Sequence, residues 1–231
     1  MTLEPSKTLA PRCKFIAEQL KVLTQLRRQR GKGKHLFGIE RLVLITLSVF
    51  LMITPTMILR WVVAPYEPQV RKGIIEIYAV LKPVILLVLL WAGLASSSWV
   101  FVLAIFLLIE LYALLLGIVL LREFWKPPFS YSRSLILLAF NFVEIIAAFA
   151  IFYIYLSCLK EGSKPVTGWS DALYFSAVTS ATVGYGDITP VSGIGRIVAT
   201  VQILASLGFM TMIVAHFVSN IQRGRTLIRI T

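Results

Sequence analysis

Two cysteines in 231 residues, Cys13 and Cys158, show neither the spacing of a disulfide framework nor that of a metal site, so both read as free thiols. Charge is sparse as well. Only 15% of the residues are Asp, Glu, Lys or Arg, too few for the solvated surface of a soluble domain of this length. No nucleophile–base pair and no metal-ligating cluster stands out, which leaves enzymatic chemistry and a resident cofactor without candidates. No segment repeats Arg or Lys at every third position, the pattern by which a helix responds to membrane potential. No small-residue cleavage site follows the first apolar run, so a removable leader is not expected.

What is present is apolar. Hydrophobic residues make up 58% of the chain and the mean hydropathy is +0.82, more apolar surface than a soluble fold of this size buries. The chain reads as an all-α integral membrane protein. Apolar segments run over 42–64, 74–95, 98–121, 134–158 and 194–219, each close to or above the ~20 residues that cross a bilayer core. The second is the weakest, because Glu76, Lys82 and Pro83 interrupt it. The net charge of +12 could suit nucleic acid, but the basic residues adjoin apolar spans, as charges facing anionic lipid headgroups do. Residues 1–40 hold nine Lys or Arg against three Glu. Ile16, Leu20 and Leu23 share one side of a helix there, which suggests an amphipathic segment on the membrane surface; a disordered basic tail is the alternative.

Between the last two apolar segments, "GWSDALYFSAVTSATVGYGDITPVSGIGR" departs from the pattern. Ser170 or Asp171 can cap a helix over 170–181, which at ~18 Å is too short to span. A helix that stops inside the bilayer needs protein or a water-filled cavity around the backbone that follows it. Its C-terminal end turns partial negative charge toward that cavity, where a cation is favoured. The following Thr182-Val183-Gly184-Tyr185-Gly186-Asp187 spaces two glycines two apart. A row of carbonyls facing one axis needs alternate residues in the left-handed backbone region, and glycine enters that region without strain. Val183 and Tyr185 would then face away and wedge against the short helix.

This stretch resembles the pore loop of potassium channels. The similarity extends over an outer helix (134–158), pore helix (170–181), filter (182–187), "DITP", "GIGR" and inner helix (194–219), and leaves residues 1–130 uncovered. The resemblance implies a homotetramer with K+ as the permeant ion, held by the carbonyls of Thr182, Val183, Gly184 and Tyr185, with Gly186 completing the filter. It also implies that Tyr174 braces Asp187. The family's inner-helix glycine hinge has no clear counterpart, since Gly208 comes slightly late and Ser206 occupies the expected place. Leu207, Met210, Val214 and Val218 fall on one stripe of the inner helix and are the expected cavity and gate lining, unless that stripe packs against the outer helix.

The expected organisation is a basic segment (1–40), upstream transmembrane helices (41–121) and a pore domain (122–231). Glu110, Asn141 and Glu144 lie inside apolar segments, where a carboxyl either serves function or fastens helices together, with Lys82 as a candidate partner. His216 is a packing residue or a pH sensor. An outward-facing filter places the basic 122–133 and 222–229 on the cytoplasmic side, as the positive-inside rule favours. Three full spans upstream would put the basic N-terminus outside, so either one segment is not a simple span or the rule fails here; 74–95 is the suspect, as a tilted, broken or interfacial segment. Only about a dozen residues follow Ser219, too few for a cytoplasmic ligand-binding ring. A less selective cation channel, a subunit of a potassium transporter and a non-conducting subunit are the competing functions. The intact filter and the single pore loop argue against them.

Overall fold

The structure, a computed structural model, describes the backbone of residues 38–120 and 131–228 and the side chains of 42–120 and 135–214. The described residues form two units, one of residues up to 78 together with 116–127, the other of 79–115 with 128 onward.

The first unit contains α1 (Gly38–Ile53) and α2 (Pro55–Val62), which meet at a bend of 59°. The bend follows from Pro55. The ring of a proline disfavours helical backbone at the residue before it, and Thr54 is extended at φ −66°, ψ 146°. Thr54 turns its hydroxyl back to the Leu51 carbonyl at 2.8 Å, so an acceptor freed by the break is satisfied. Pro55 itself starts α2, where its missing N–H has no partner to lose.

The suspected break in 74–95 is not there. Residues Pro68–Trp91 form one continuous helix, α3, with Pro83 buried inside it. The irregular segment is 42–64 instead. Helices α3, α4 (Ser98–Leu120), α5 (Tyr131–Tyr155) and the first 22 residues of α7 (Gly193–Ile228) are each long and apolar enough to cross a membrane, and the bent pair α1–α2 would be a fifth if it is one span. The chain is a mostly helical integral membrane protein.

The second unit is built around α5. From Glu144 to Tyr153 every residue of this helix except Ile146 is buried, and its Ala147, Ala148 and Ala150 allow close approach on several sides. Leu86 and Leu90 of α3, Val100, Ala104 and Leu111 of α4, and Phe209 of α7 belong to the same core. Phe101 stacks on Tyr155 with ring centroids 4.3 Å apart. One ion pair is enclosed here: Lys82 Nζ lies 3.1 Å from Glu144 Oε1. Both side chains and Glu110 are buried. Neither Glu144 oxygen has a directed hydrogen bond among the described residues, so Lys82 holds this carboxylate by charge.

After α5 the chain makes a small antiparallel sheet that the apolar pattern did not announce. Strands β1 (Leu159–Glu161), β2 (Lys164–Pro165) and β3 (Ile188–Pro190) lie in the order β2-β1-β3. Between β2 and β3 sit α6 (Trp169–Ser180) and the loop after it.

Candidate functional site: the pore loop

The 12 residues of α6 stop at Ser180. Neither Ser170 nor Asp171 caps it. Gly168 occupies the N-cap without a side-chain bond, Ser170 Oγ bonds to Asp171 Oδ1 at 3.2 Å, and Asp171 lies within the first turn, where a carboxylate suits the positive end of the helix dipole. The reason is positional: the N-cap falls two residues before Ser170 and three before Asp171.

The chain leaves α6 through three backbone bonds, Ala181 N to Ala177 O, Thr182 N to Thr179 O and Val183 N to Val178 O, all between 2.9 and 3.1 Å. The start of the loop is thereby tied to the last turn of the helix. From there the backbone alternates. Thr182 (φ +58°), Gly184 (φ +60°) and Gly186 (φ +81°) are left-handed, whereas Val183 and Tyr185 are not. Two of the three positive positions are the glycines of the motif. The third is β-branched, a conformation that costs of order 1–3 kcal/mol and persists only where the surroundings enforce it.

At its far end the loop is held twice. Tyr174 Oη donates to Asp187 Oδ2 at 2.7 Å, and Ile188 N donates to Asp187 Oδ1 at 2.9 Å. The Tyr174 bond and then the Ile188 amide hold the Asp187 carboxyl below its ordinary range, and the same bond pushes the Tyr174 phenol up to about 12. Beyond Asp187, β3 pairs with β1 in the register Glu161–Ile188, Lys160–Thr189 and Leu159–Pro190. Val191 N adds a bond to Cys158 O at 2.8 Å. Gly195 permits the start of α7 to approach this corner, because a Cβ there would lie 3.0 Å from the Cys158 carbonyl oxygen and 3.2 Å from Pro190 Cβ. Cys158 is a buried free thiol.

Val183 and Tyr185 do not wedge against this chain's own short helix. Tyr185 is 71% exposed within the chain and Val183 about half. Both side chains are left exposed by their own chain, Tyr185 more than Val183.

On α7 the buried positions Gln202, Ser206 and Phe209, four and three apart, form the face turned into the unit, with Phe209 stacked on Phe142 of α5. Leu207, Met210 and Val214 lie off that face and are exposed within the chain. That stripe is not the one packed on the outer helix. Val218 and His216 fall outside the described side chains.

One cluster escaped the sequence reading. Gln202 is fully buried behind α6; its amide nitrogen lies 2.8 Å from Ser176 O, Ser176 Oγ and Ser180 Oγ, and its carbonyl accepts from Tyr153 Oη at 2.6 Å. Ser176 Oγ in turn donates to Ile146 O at 2.7 Å. A lone amide in the apolar run 194–219 was the available signal, since polar groups in such helices face protein partners. No group of metal-ligating side chains occurs among the described residues.

Residues 140–223 match the family model described as an ion channel. This part of the chain is similar to an ion-channel module. It is 29% identical over 66 residues to a voltage-gated potassium channel of Aeropyrum pernix, covering 29% of this chain and 22% of the relative. It is 33% identical over 84 residues to two-pore potassium channel 3 of Arabidopsis thaliana, 31% of this chain and 19% of that one. With probable potassium channel protein 2 of Methanocaldococcus jannaschii the identity is 36% over 69 residues, 29% of this chain and 19% of the relative. The matched part is thus about a fifth of each relative's length. No solved structure matches.

Proposed function

We propose that the chain is a subunit of a homotetrameric, potassium-selective channel that passes K+ down its gradient. The carrying observation is the alternation of backbone hand at Thr182, Gly184 and Gly186, set at the C-terminal end of a short helix between two membrane-spanning ones. Alternation turns successive carbonyls toward one axis, and those of Thr182, Val183, Gly184 and Tyr185 then replace the hydration shell of the ion. One chain supplies one wall. Four copies close the ring, and the exposed sides of Val183 and Tyr185 become the surfaces on which the next copy packs. Gly186, Asp187 and Tyr174 hold the outer end. Leu207, Met210, Val214 and Val218 line the cavity and gate; the exposure of the first three, beside the buried face of Gln202, Ser206 and Phe209, supports this stripe.

An outward filter and four crossing helices bring residues 1–40, 121–133 and the end of α7 to the cytoplasmic side, where their positive charge belongs. The bent pair α1–α2 then makes no net crossing, and the conflict in charge seen in the sequence disappears. In this reading 1–40 lies on anionic lipid of the cell membrane, 41–121 are upstream membrane helices and 122–231 the pore domain. Without an arginine ladder the pore responds weakly to voltage.

Planar-bilayer recording of the purified protein, with potassium on one side and sodium on the other, tests conduction and selectivity together. Light scattering corrected for detergent gives the subunit number. A protein of tetramer mass with a reversal potential near that of potassium is expected; a conducting monomer or dimer, or equal passage of both ions, overturns the reading.

A further inference from the structure

We propose that Gln202 is a positioning residue of the ion filter: through Ser176 and Ser180 it fixes the rotation and depth of the pore helix, and thereby the starting point of the carbonyl row. The proposal rests on the reading of 182–187 as that filter.

Both ends of the amide are engaged. Its two N–H groups serve three acceptors on α6 and its carbonyl takes the Tyr153 hydroxyl, so both donors and one of the two lone pairs of the oxygen are committed within the protein. The network reaches all three helices of the pore module, because Ser176 Oγ continues it to the Ile146 carbonyl of α5. The Tyr153 ring is itself fixed, edge-on to Phe175 with centroids 4.9 Å apart. Every side chain concerned lies in the interior, Gln202 and Ser176 without any exposure.

Packing alone does not call for this arrangement. An apolar side chain of similar volume would fill the space, and an amide left unsatisfied there costs about 1–3 kcal/mol. What directed bonds add is register: apolar surfaces slide and rotate on one another, whereas a fork aimed at Ser176 and Ser180 permits one setting. That setting matters at Ser180. Two residues later comes Thr182, the strained left-handed residue, and its neighbours Ala181 and Val183 hang from the carbonyls of Ala177 and Val178 in the same turn. A small rotation of that turn moves the innermost carbonyls directly, and no other side chain of α7 bonds to α6 among the described hydrogen bonds. The outer end has its own anchors at Asp187 and β3. Gln202 supplies the inner one.

The test is the bi-ionic reversal potential of Gln202→Leu, Tyr153→Phe and Ser180→Ala, with Ser206→Ala as control. Ser206 is equally buried on the same face of α7, and its hydroxyl has no hydrogen-bond partner among the described residues. Reversal potential belongs to each open pore and does not depend on how many pores fold, so a merely structural role leaves it unmoved. The potassium-to-sodium permeability ratio should fall about tenfold in Gln202→Leu, as expected for losing a buried hydrogen-bonding amide. It should fall about threefold in Tyr153→Phe and Ser180→Ala, and stay at the wild-type value in Ser206→Ala. If Gln202→Leu yields no tetramer, the two single-oxygen deletions decide: shifted ratios support the proposal and unshifted ones overturn it. A wild-type protein that does not select potassium refutes the filter reading itself. Wild-type selectivity retained in all three network variants overturns only the role of Gln202.

Discussion

Tyr174 and Asp187, 13 residues apart, are joined at 2.7 Å across the outer end of the loop, hydroxyl to carboxylate. The bond exists while Asp187 is ionised and Tyr174 is not. Asp187 titrates below its ordinary value of 3.8, so what the pair contributes is fully present above that value and is lost as pH falls through the lowered one. Tyr174 is raised from 10.0 to about 12, so the contribution is also present below pH 10.0 and is lost as pH rises through about 12. External acidification from pH 8 to about 5 should therefore leave the filter unaffected through this pair. Tyr174→Phe should speed the decline of current during sustained conduction, read from the time course of potassium current at fixed pH. Unchanged kinetics would remove the bond from any supporting role.

Gly186→Ala should abolish selective potassium current while the protein still inserts and assembles. A Cβ at Gly186 meets nothing within 4 Å inside the chain, so the penalty is conformational, about 1–2 kcal/mol per copy for an L-residue at positive φ. Bi-ionic recording checks it, together with size-exclusion chromatography of the variant. Normal selectivity would count against the left-handed setting of Gly186.

The ion pair of Lys82 with Glu144 joins α3 to α5. Glu144→Gln keeps the shape and removes the charge, and should destabilise the folded protein by about 3 kcal/mol. Replacing both groups by apolar ones, Lys82→Met with Glu144→Leu, should recover part of that loss, because neither member of the pair is then left without the other, while Glu110 stays buried beside them. Thermal unfolding in detergent separates the cases. A double variant no more stable than Glu144→Gln would mean that the pair does more than cancel its own desolvation.

In a Cys13→Ser background, Val214→Cys should react with a charged thiol reagent applied from the cytoplasmic side of open channels at least about tenfold faster than Ser206→Cys. Val214 is exposed within the chain and Ser206 is fully buried on the face turned into the unit. Equal rates would place another stripe of α7 along the ion path.

The sequence by itself determined what depends on a residue and its near neighbours. Hydropathy over ~20 residues marks spans wherever they lie in the fold, and the glycines at 184 and 186 announce left-handed backbone because they alone lack the Cβ that opposes it. Even so, local rules misplaced the irregular helix. Pro83 and the charges near it pointed to 74–95, but the helix continues through them, while Pro55 broke the chain at Thr54, whose hydroxyl satisfied the carbonyl set free. The partners of Gln202 lie 22 to 49 residues away, and β3 is paired with β1 across the whole pore helix. Thr182 takes a backbone setting that its own side chain opposes. Only the tertiary structure decided these, because a buried amide, an edge strand or a strained threonine becomes stable through groups that packing brings to it, and no local pattern encodes which groups those are.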